Sequence, residues 1–201
     1  MELRFKKFVA AILMALGAVV FVASTVHALL WAPEAEVVLP YMAEHAPARA
    51  AAPGDYPARL YIPALSINAA VQHVGINAAG NMSSPSNFTD VGWYKYGPEP
   101  GQAGVAIIDG HVDNGLSLPG VFKHLSTIAV GDEILIDTRG GAHLHYTVTD
   151  VQAYPYTNVP NDVLFSATAS SSELRLVTCD GTWVPGAKTY NERLVVFADE
   201  I

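Results

Sequence analysis

The chain has 201 residues, 51% of them apolar and 15% charged, with 11 basic against 19 acidic side chains and a formal net charge of -8. That apolar content excludes an intrinsically disordered chain, and an acidic balance with no Lys/Arg cluster argues against nucleic acid as a partner, because phosphate binding needs clustered cations. A single cysteine excludes an internal disulfide and any cysteine-rich metal or cluster site, so whatever chemistry it has is that of a thiol.

In chain order, the first feature is Phe8 to Trp31, 24 residues without a charge. At about 1.5 Å per helical residue this run crosses the roughly 30 Å hydrocarbon layer. Arg4, Lys6 and Lys7 stand just before it. The positive-inside tendency therefore leaves a short N-terminus in the cytoplasm and the rest of the chain outside the plasma membrane. Residues 1–31 read as a single-pass anchor, with residues 8–31 in the bilayer. The competing reading is a cleaved signal peptide with Val26-His27-Ala28 as its small-residue site, against which the run is longer than the usual apolar core of about 7–15 residues. Residues 32–58 then hold five prolines and nine alanines without apolar periodicity, the composition of an extended spacer.

From Arg59 to Ile201 short β-branched and aromatic stretches alternate with Gly, Pro, Asn and Asp, the pattern of many short strands in one domain. Strands are expected near Arg59–Ile62, Ile67–Val74, Val105–Ile108, Glu133–Asp137, His143–Ala153, Leu174–Cys179 and Arg193–Ala198. Short helical turns are expected over Pro119–Leu125 and Asn161–Phe165, where Pro or Asn precedes a compact apolar cluster. Antiparallel strands with few helices point to an all-β fold, a small closed barrel that leaves no sheet edge open.

Cys179 ends a strand that gives way to Asp180-Gly181, which puts the thiol at a rim. The next strand opens with Asn191-Glu192-Arg193, and antiparallel pairing of the two makes Cys179 and Arg193 neighbours across 14 positions. The alternative for Cys179 is a small buried hydrophobe. A reactive thiol needs a base or a cation, since free cysteine is only a few per cent thiolate at neutral pH. Among the seven histidines, His27 and His45 fall in the anchor and spacer, His73 ends a strand without a nearby polar partner, and His124 reads as a surface residue. His111 is different. The strand Val105–Ile108 breaks at Asp109-Gly110 and delivers His111 to a loop, with glycine permitting a tight approach or a positive φ. His143 and His145 share one face of a strand and could bind a metal, but no third ligand is near in sequence, and a solvated strand face is the plainer reading.

Taken together, these residues resemble the sortase family, most closely its class F type, over nearly all of Arg59–Ile201. The resemblance is carried by Arg59-Leu60-Tyr61-Ile62-Pro63-Ala64-Leu65, Asp90-Val91-Gly92-Trp93-Tyr94, Gly97-Pro98-Glu99-Pro100-Gly101 and Gly110-His111-Val112-Asp113. Val121–Leu125 followed by Val130–Ile134 has the family's order and spacing. Leu176-Val177-Thr178-Cys179 resembles the nucleophile signature TLxTC, and Asn191–Ala198 the strand that bears the family's essential arginine. Arg175 departs from the signature, which has threonine there, and is the rival to Arg193 for the arginine role. Its plainer reading is a cross-strand partner for an acidic neighbour.

The resemblance implies an eight-stranded closed sortase-type barrel with short helices, preceded by the transmembrane helix. It further implies a cysteine transpeptidase that cleaves an LPxTG-like sorting signal after threonine and passes the acyl group to an amine. Cys179 is then the nucleophile, His111 the general acid and base, and Arg193 the charge beside the oxyanion, while Thr178 helps bind or orient substrate. Asp113 and Asn114 are supporting candidates near His111, and Tyr154–Ser172 forms one wall of the groove. The implied partners are secreted proteins bearing a sorting signal, an amine acceptor such as a peptidoglycan precursor, and the plasma membrane, with no cofactor, metal or nucleic acid. Three rivals stand beside this reading: an anchored cysteine peptidase that releases the acyl group to water, a non-catalytic surface-binding barrel, and a metallohydrolase built on His143 and His145.

Overall fold

The computed structural model describes residues 2–30, 54–114, 116–167 and 171–201. The first element, α1 (Glu2–Leu30), is an unbroken helix whose segment Lys6–Val26 is long and apolar enough to cross a membrane. The spacer expected over 32–58 lies outside the described residues as far as residue 53.

Eight strands follow: β1 (Pro57–Ile62), β2 (Ile67–Val74), β3 (Val91–Tyr94), β4 (Gly104–Gly110), β5 (Glu133–Thr138), β6 (His143–Pro155), β7 (Ser172–Val184) and β8 (Thr189–Glu200). They close into a barrel in the order β1-β2-β3-β4-β7-β8-β6-β5. Closure follows from the two-residue period of the strands, which turns alternate side chains inward. Leu60 and Ile62, Ala106 and Ile108, Leu174 and Leu176, and Leu194 and Val196 are buried in one cluster with Trp93 and Tyr146. Each large side chain removed from water there contributes about 1.5–3 kcal/mol.

The intervening residues build a second cluster on the outer face of β2, β3, β4, β7 and β8. Val74, Tyr94, Val105, Ile107, Val177 and Val195 form it, covered by Met82 from the 75–90 connection and Leu164 from the short helix α2 (Asn161–Phe165). These central strands are apolar on both faces, which is why they read as continuous hydrophobic runs.

Several local expectations are corrected. β3 was not read as a strand: it has four residues, one of them Gly92, yet it is paired on both sides. Two of the pairings, β2 with β3 and β4 with β7, are parallel and not antiparallel. β4 does not break at Asp109-Gly110, because Asp109 pairs with Gly92 on one side and Val177 on the other, and this ladder overrides the local turn preference. Nor does β7 end at Cys179. It continues through a bulge between Asp180 and Trp183 and turns at 185–188 into β8. The turn expected over Pro119–Leu125 is shifted, with a 3-10 helix at Leu125–Thr127, whereas α2 matches its expected span.

Candidate active site

The site is a consequence of register. β4 and β7 run parallel with Asp109 opposite Val177 as the last pair of the ladder, and His111 and Cys179 each follow two residues further along their chains. The Thr178 hydroxyl joins the two chains just before these residues by donating to the Gly110 carbonyl at 2.8 Å. On the other side of β7, Cys179 is directly opposite Arg193 of β8. Cys179 and Arg193 thus sit side by side on β7 and β8, on the outer-facing rows that also carry Val177 and Val195, and His111 follows one residue past the end of β4, the strand on the other side of β7. Gly110 allows this by close approach and not by a positive φ. A Cβ there would meet the Phe122 ring at 2.6 Å.

The three side chains are almost wholly enclosed, Cys179 being 6%, His111 3% and Arg193 1% exposed. Burial pushes the Cys179 thiol up from 9.0, opposed by the Arg193 guanidinium and a hydrogen bond with Thr189. Burial also pulls His111 below 6.5, against the hydrogen bond to Pro85 and the charge of Asp113. At neutral pH the pair is therefore mainly thiol and neutral imidazole, with the ion pair a minor form.

His111 Nε2 lies 3.0 Å from the carbonyl oxygen of Pro85. A carbonyl only accepts, so Nε2 carries the hydrogen and Nδ1 is the basic nitrogen of the neutral ring. The Arg193 guanidinium is tethered to the opening residues of its own strand. Nη1 donates to the carbonyls of Glu192 at 2.9 Å and Tyr190 at 3.2 Å, Nη2 donates to Thr189 Oγ1 at 2.9 Å, and the group lies 5.8 Å from the Tyr156 ring centre. It is a cation held in place beside the sulfur.

Thr178 belongs to the inward row of β7 with Leu174 and Leu176, and its hydroxyl is engaged within the wall. Arg175, the rival arginine, is buried too. Its partner is Glu173 on its own strand, at 2.6 Å, and not an acid across the sheet. Nε donates to the Val163 carbonyl of α2 at 3.2 Å, and the guanidinium covers the Phe197 ring at 4.6 Å. Arg175 thus pins the connection before β7 to the outer face.

Asp113 accepts the Tyr190 hydroxyl and pairs with Lys123 at 3.7 Å, which joins the loop after His111 to β8. The Asn114 Oδ1 accepts the N–H groups of Leu116 and Leu118 at 2.9 and 3.0 Å, bracing the same loop. The residues unseen in the sequence are Ser84, Pro85, Asp109, Thr189 and Tyr190. They reach the site through long-range pairing and carry no local signature.

The other histidines lie elsewhere. His73 Nε2 is 3.2 Å from the Pro57 carbonyl, a polar partner the sequence did not reveal, and its ring packs between Tyr56 and Trp93. His124 is exposed. His143 and His145 are exposed on β6, with His143 Nδ1 at 2.6 Å from Asp137 Oδ1, and among the described residues no group of three or more His, Cys, Asp or Glu could hold a metal.

A family profile described as a sortase domain matches residues 60–201. The chain belongs to the sortase family. Solved structures with the same fold include Streptococcus agalactiae sortase C1 in complex with MTSET, with a TM-score of 0.53 and 19% identity over 71% of this chain and 66% of that one. A lid mutant of sortase A from Corynebacterium diphtheriae has a TM-score of 0.55 and 20% identity over 80% of this chain and 77% of that one. Sortase C-1 from Actinomyces oris has a TM-score of 0.56 and 19% identity over 86% of this chain and 90% of that one. This sortase therefore spans just under two thirds of the streptococcal chain's length, and at such identities the likeness is one of fold. No curated protein matches the sequence.

Proposed function

We propose that this sortase is a membrane-anchored cysteine transpeptidase of the class F type. It acts outside the plasma membrane on proteins that bear an LPxTG-like sorting signal. The observation that carries the reading is the register that sets Cys179 opposite Arg193, with Thr178 bonded to Gly110 just before His111, supported by the family membership of residues 60–201.

In this mechanism the signal peptide lies on the outer face between α2 and the 75–90 connection. Cys179 loses its proton to His111 Nδ1, and the sulfur attacks the threonine carbonyl. Arg193 supplies positive charge beside the oxyanion of the tetrahedral intermediate. Collapse breaks the C–N bond, the imidazolium returns the proton to the departing glycine amine, and a thioester remains on Cys179. An incoming amine, such as that of a peptidoglycan precursor, loses a proton to His111 as it displaces the sulfur. With its hydroxyl bonded to Gly110, Thr178 contributes to substrate binding by keeping the two reactive strands in register. No cofactor enters any step. α1 serves as the anchor, residues 32–58 as the spacer and residues 59–201 as the catalytic domain; the apolar length of Lys6–Val26 supports the first of these.

The test is partition of product. The full chain in detergent micelles is given a fluorogenic LPxTG-like peptide with rising concentrations of an amine acceptor. A transpeptidase yields amide in proportion to the amine at the expense of free acid. Free acid alone at every amine concentration would make the protein a peptidase.

A further inference from the structure

Asp109 lies 2% exposed on β4, two residues before His111, and among the described residues nothing hydrogen-bonds its Oδ1. It is paired with Gly92 of β3, where a Cβ would come within 2.6 Å of that oxygen, so the glycine is what leaves room for the carboxyl. Its polar contacts are a hydrogen bond with the Ser84 side chain and a weaker one with its own backbone N–H. Ser84 is bonded through the chain to Pro85, whose carbonyl takes the His111 Nε2 hydrogen. The links close on themselves: Asp109 to Ser84, Ser84 to Pro85, Pro85 to His111, and His111 back along β4 to Asp109. In a closed ring each link restrains the others, so loss of the Ser84 contact loosens the carbonyl that orients the imidazole.

We propose that Asp109 is a positioning residue of the transfer reaction, holding the His111 ring in its working orientation through Ser84 and Pro85. The inference rests on His111 being the acid and base of a cysteine transpeptidase.

The carboxyl acts in its neutral form. Burial pushes its pKa up to about 8, against the Ser84 hydrogen bond, so it is mostly protonated at neutral pH. The titratable or charged groups on the faces around it are Tyr94 of β3, His111 and Asp113 in the loop after β4, Cys179 of β7 and Arg193 of β8. Asp90, the ionisable residue of the 75–90 connection, is bonded to Gln72 and Asn87. A negative charge at Asp109 acts against the Cys179 thiolate, whereas the neutral acid does not.

Cys179 is the chain's single cysteine, so alkylation by iodoacetamide reads it alone. The full-length protein in detergent micelles is alkylated across pH 5 to 10 as wild type, D109N, D109A, S84A, H111A and the D109A/S84A double variant. D109A and S84A should move the rate profile toward that of H111A, and the double variant should add nothing to either, because the two residues act in series. D109N keeps the polar shape and should follow wild type to about pH 8, then exceed it where the wild-type carboxyl ionises. With a sorting peptide, D109A and S84A should each lose about tenfold in kcat at little-changed KM, the scale of one hydrogen bond.

A wild-type profile in D109A, an Asn variant that behaves like the Ala variant, or additive losses in the double variant would overturn the proposal. Near-UV circular dichroism identifies any variant that fails to fold, and S84A then tests the ring without altering the buried acid. Alkylation needs no peptide, so the two readings separate. Profiles ordered as expected without peptide turnover by wild type would refute the transpeptidase reading alone. Turnover with coincident profiles would refute the positioning role alone.

Discussion

Replacing Asp109 by Asn should stabilise the fold at alkaline pH and leave it nearly unchanged in acid. The acid's pKa is raised from 3.8 to about 8 on folding, chiefly by burial. Between those values the unfolded chain has released its proton while the native state keeps it. The native state therefore binds more protons, and stability falls as pH rises through this window by about 1.4 kcal/mol per pH unit. Below the unfolded value both states are protonated and nothing is lost; above about pH 8 both are ionised and the loss is complete. The whole penalty is on the order of 5 kcal/mol, and an asparagine of the same shape never incurs it. At roughly 2–4 °C per kcal/mol for a domain of this size, D109N should melt about 10–20 °C above wild type at pH 8 and within a few degrees of it at pH 4. Thermal melts of both proteins by near-UV circular dichroism at half-unit pH steps give the comparison. A difference that stays constant from pH 4 to 8, or an Asn variant less stable at pH 8, would refute the reasoning.

Arg193→Ala removes the cation beside the sulfur. It should cut kcat on the order of a hundredfold to a thousandfold and move the alkylation profile of Cys179 to higher pH, whereas turnover within tenfold of wild type would contradict its role. Thr178→Val removes the buried hydrogen bond to the Gly110 carbonyl and should cost about 0.5–1.5 kcal/mol of stability, read as a lower midpoint in urea. The pH profile of kcat/KM should rise through a pKa below 6.5, set by His111, and fall through one above 9.0, set by Cys179. A profile that peaks sharply near neutrality would mean that the two apparent values lie close together, contrary to the opposite shifts of the two groups.

Much of this site was legible because Cys179 and Arg193 adjoin strongly apolar strand segments with distinctive flanks. Leu176–Cys179 and Asn191–Phe197 identify two strands, and antiparallel pairing makes Cys179 and Arg193 neighbours without further information. His111 could be singled out but not placed, because its position relative to Cys179 depends on the parallel pairing of β4 with β7, whose intervening chain of 61 residues includes two other strands. In the sequence Asp109 reads as a strand break. An aspartate before glycine favours a turn locally, and only the ladders to Gly92 and Val177 keep it extended. β3 escaped recognition because four residues containing a glycine carry too little periodicity. The partner expected for Arg175 lies across the sheet, but residues two apart on a strand share a face, and Glu173 reaches it from its own strand.

The central claim is that the Cys179 sulfur becomes covalently joined to the substrate's acyl half. Intact-mass measurement of the full chain, quenched in acid during turnover of an LPxTG-like peptide, tests it directly. The expected gain is the mass of the peptide acid ending in threonine less one water, mapped to Cys179, labile to hydroxylamine and absent from Cys179→Ala. Cleavage that proceeds with no adduct, or that survives loss of the thiol, would contradict it.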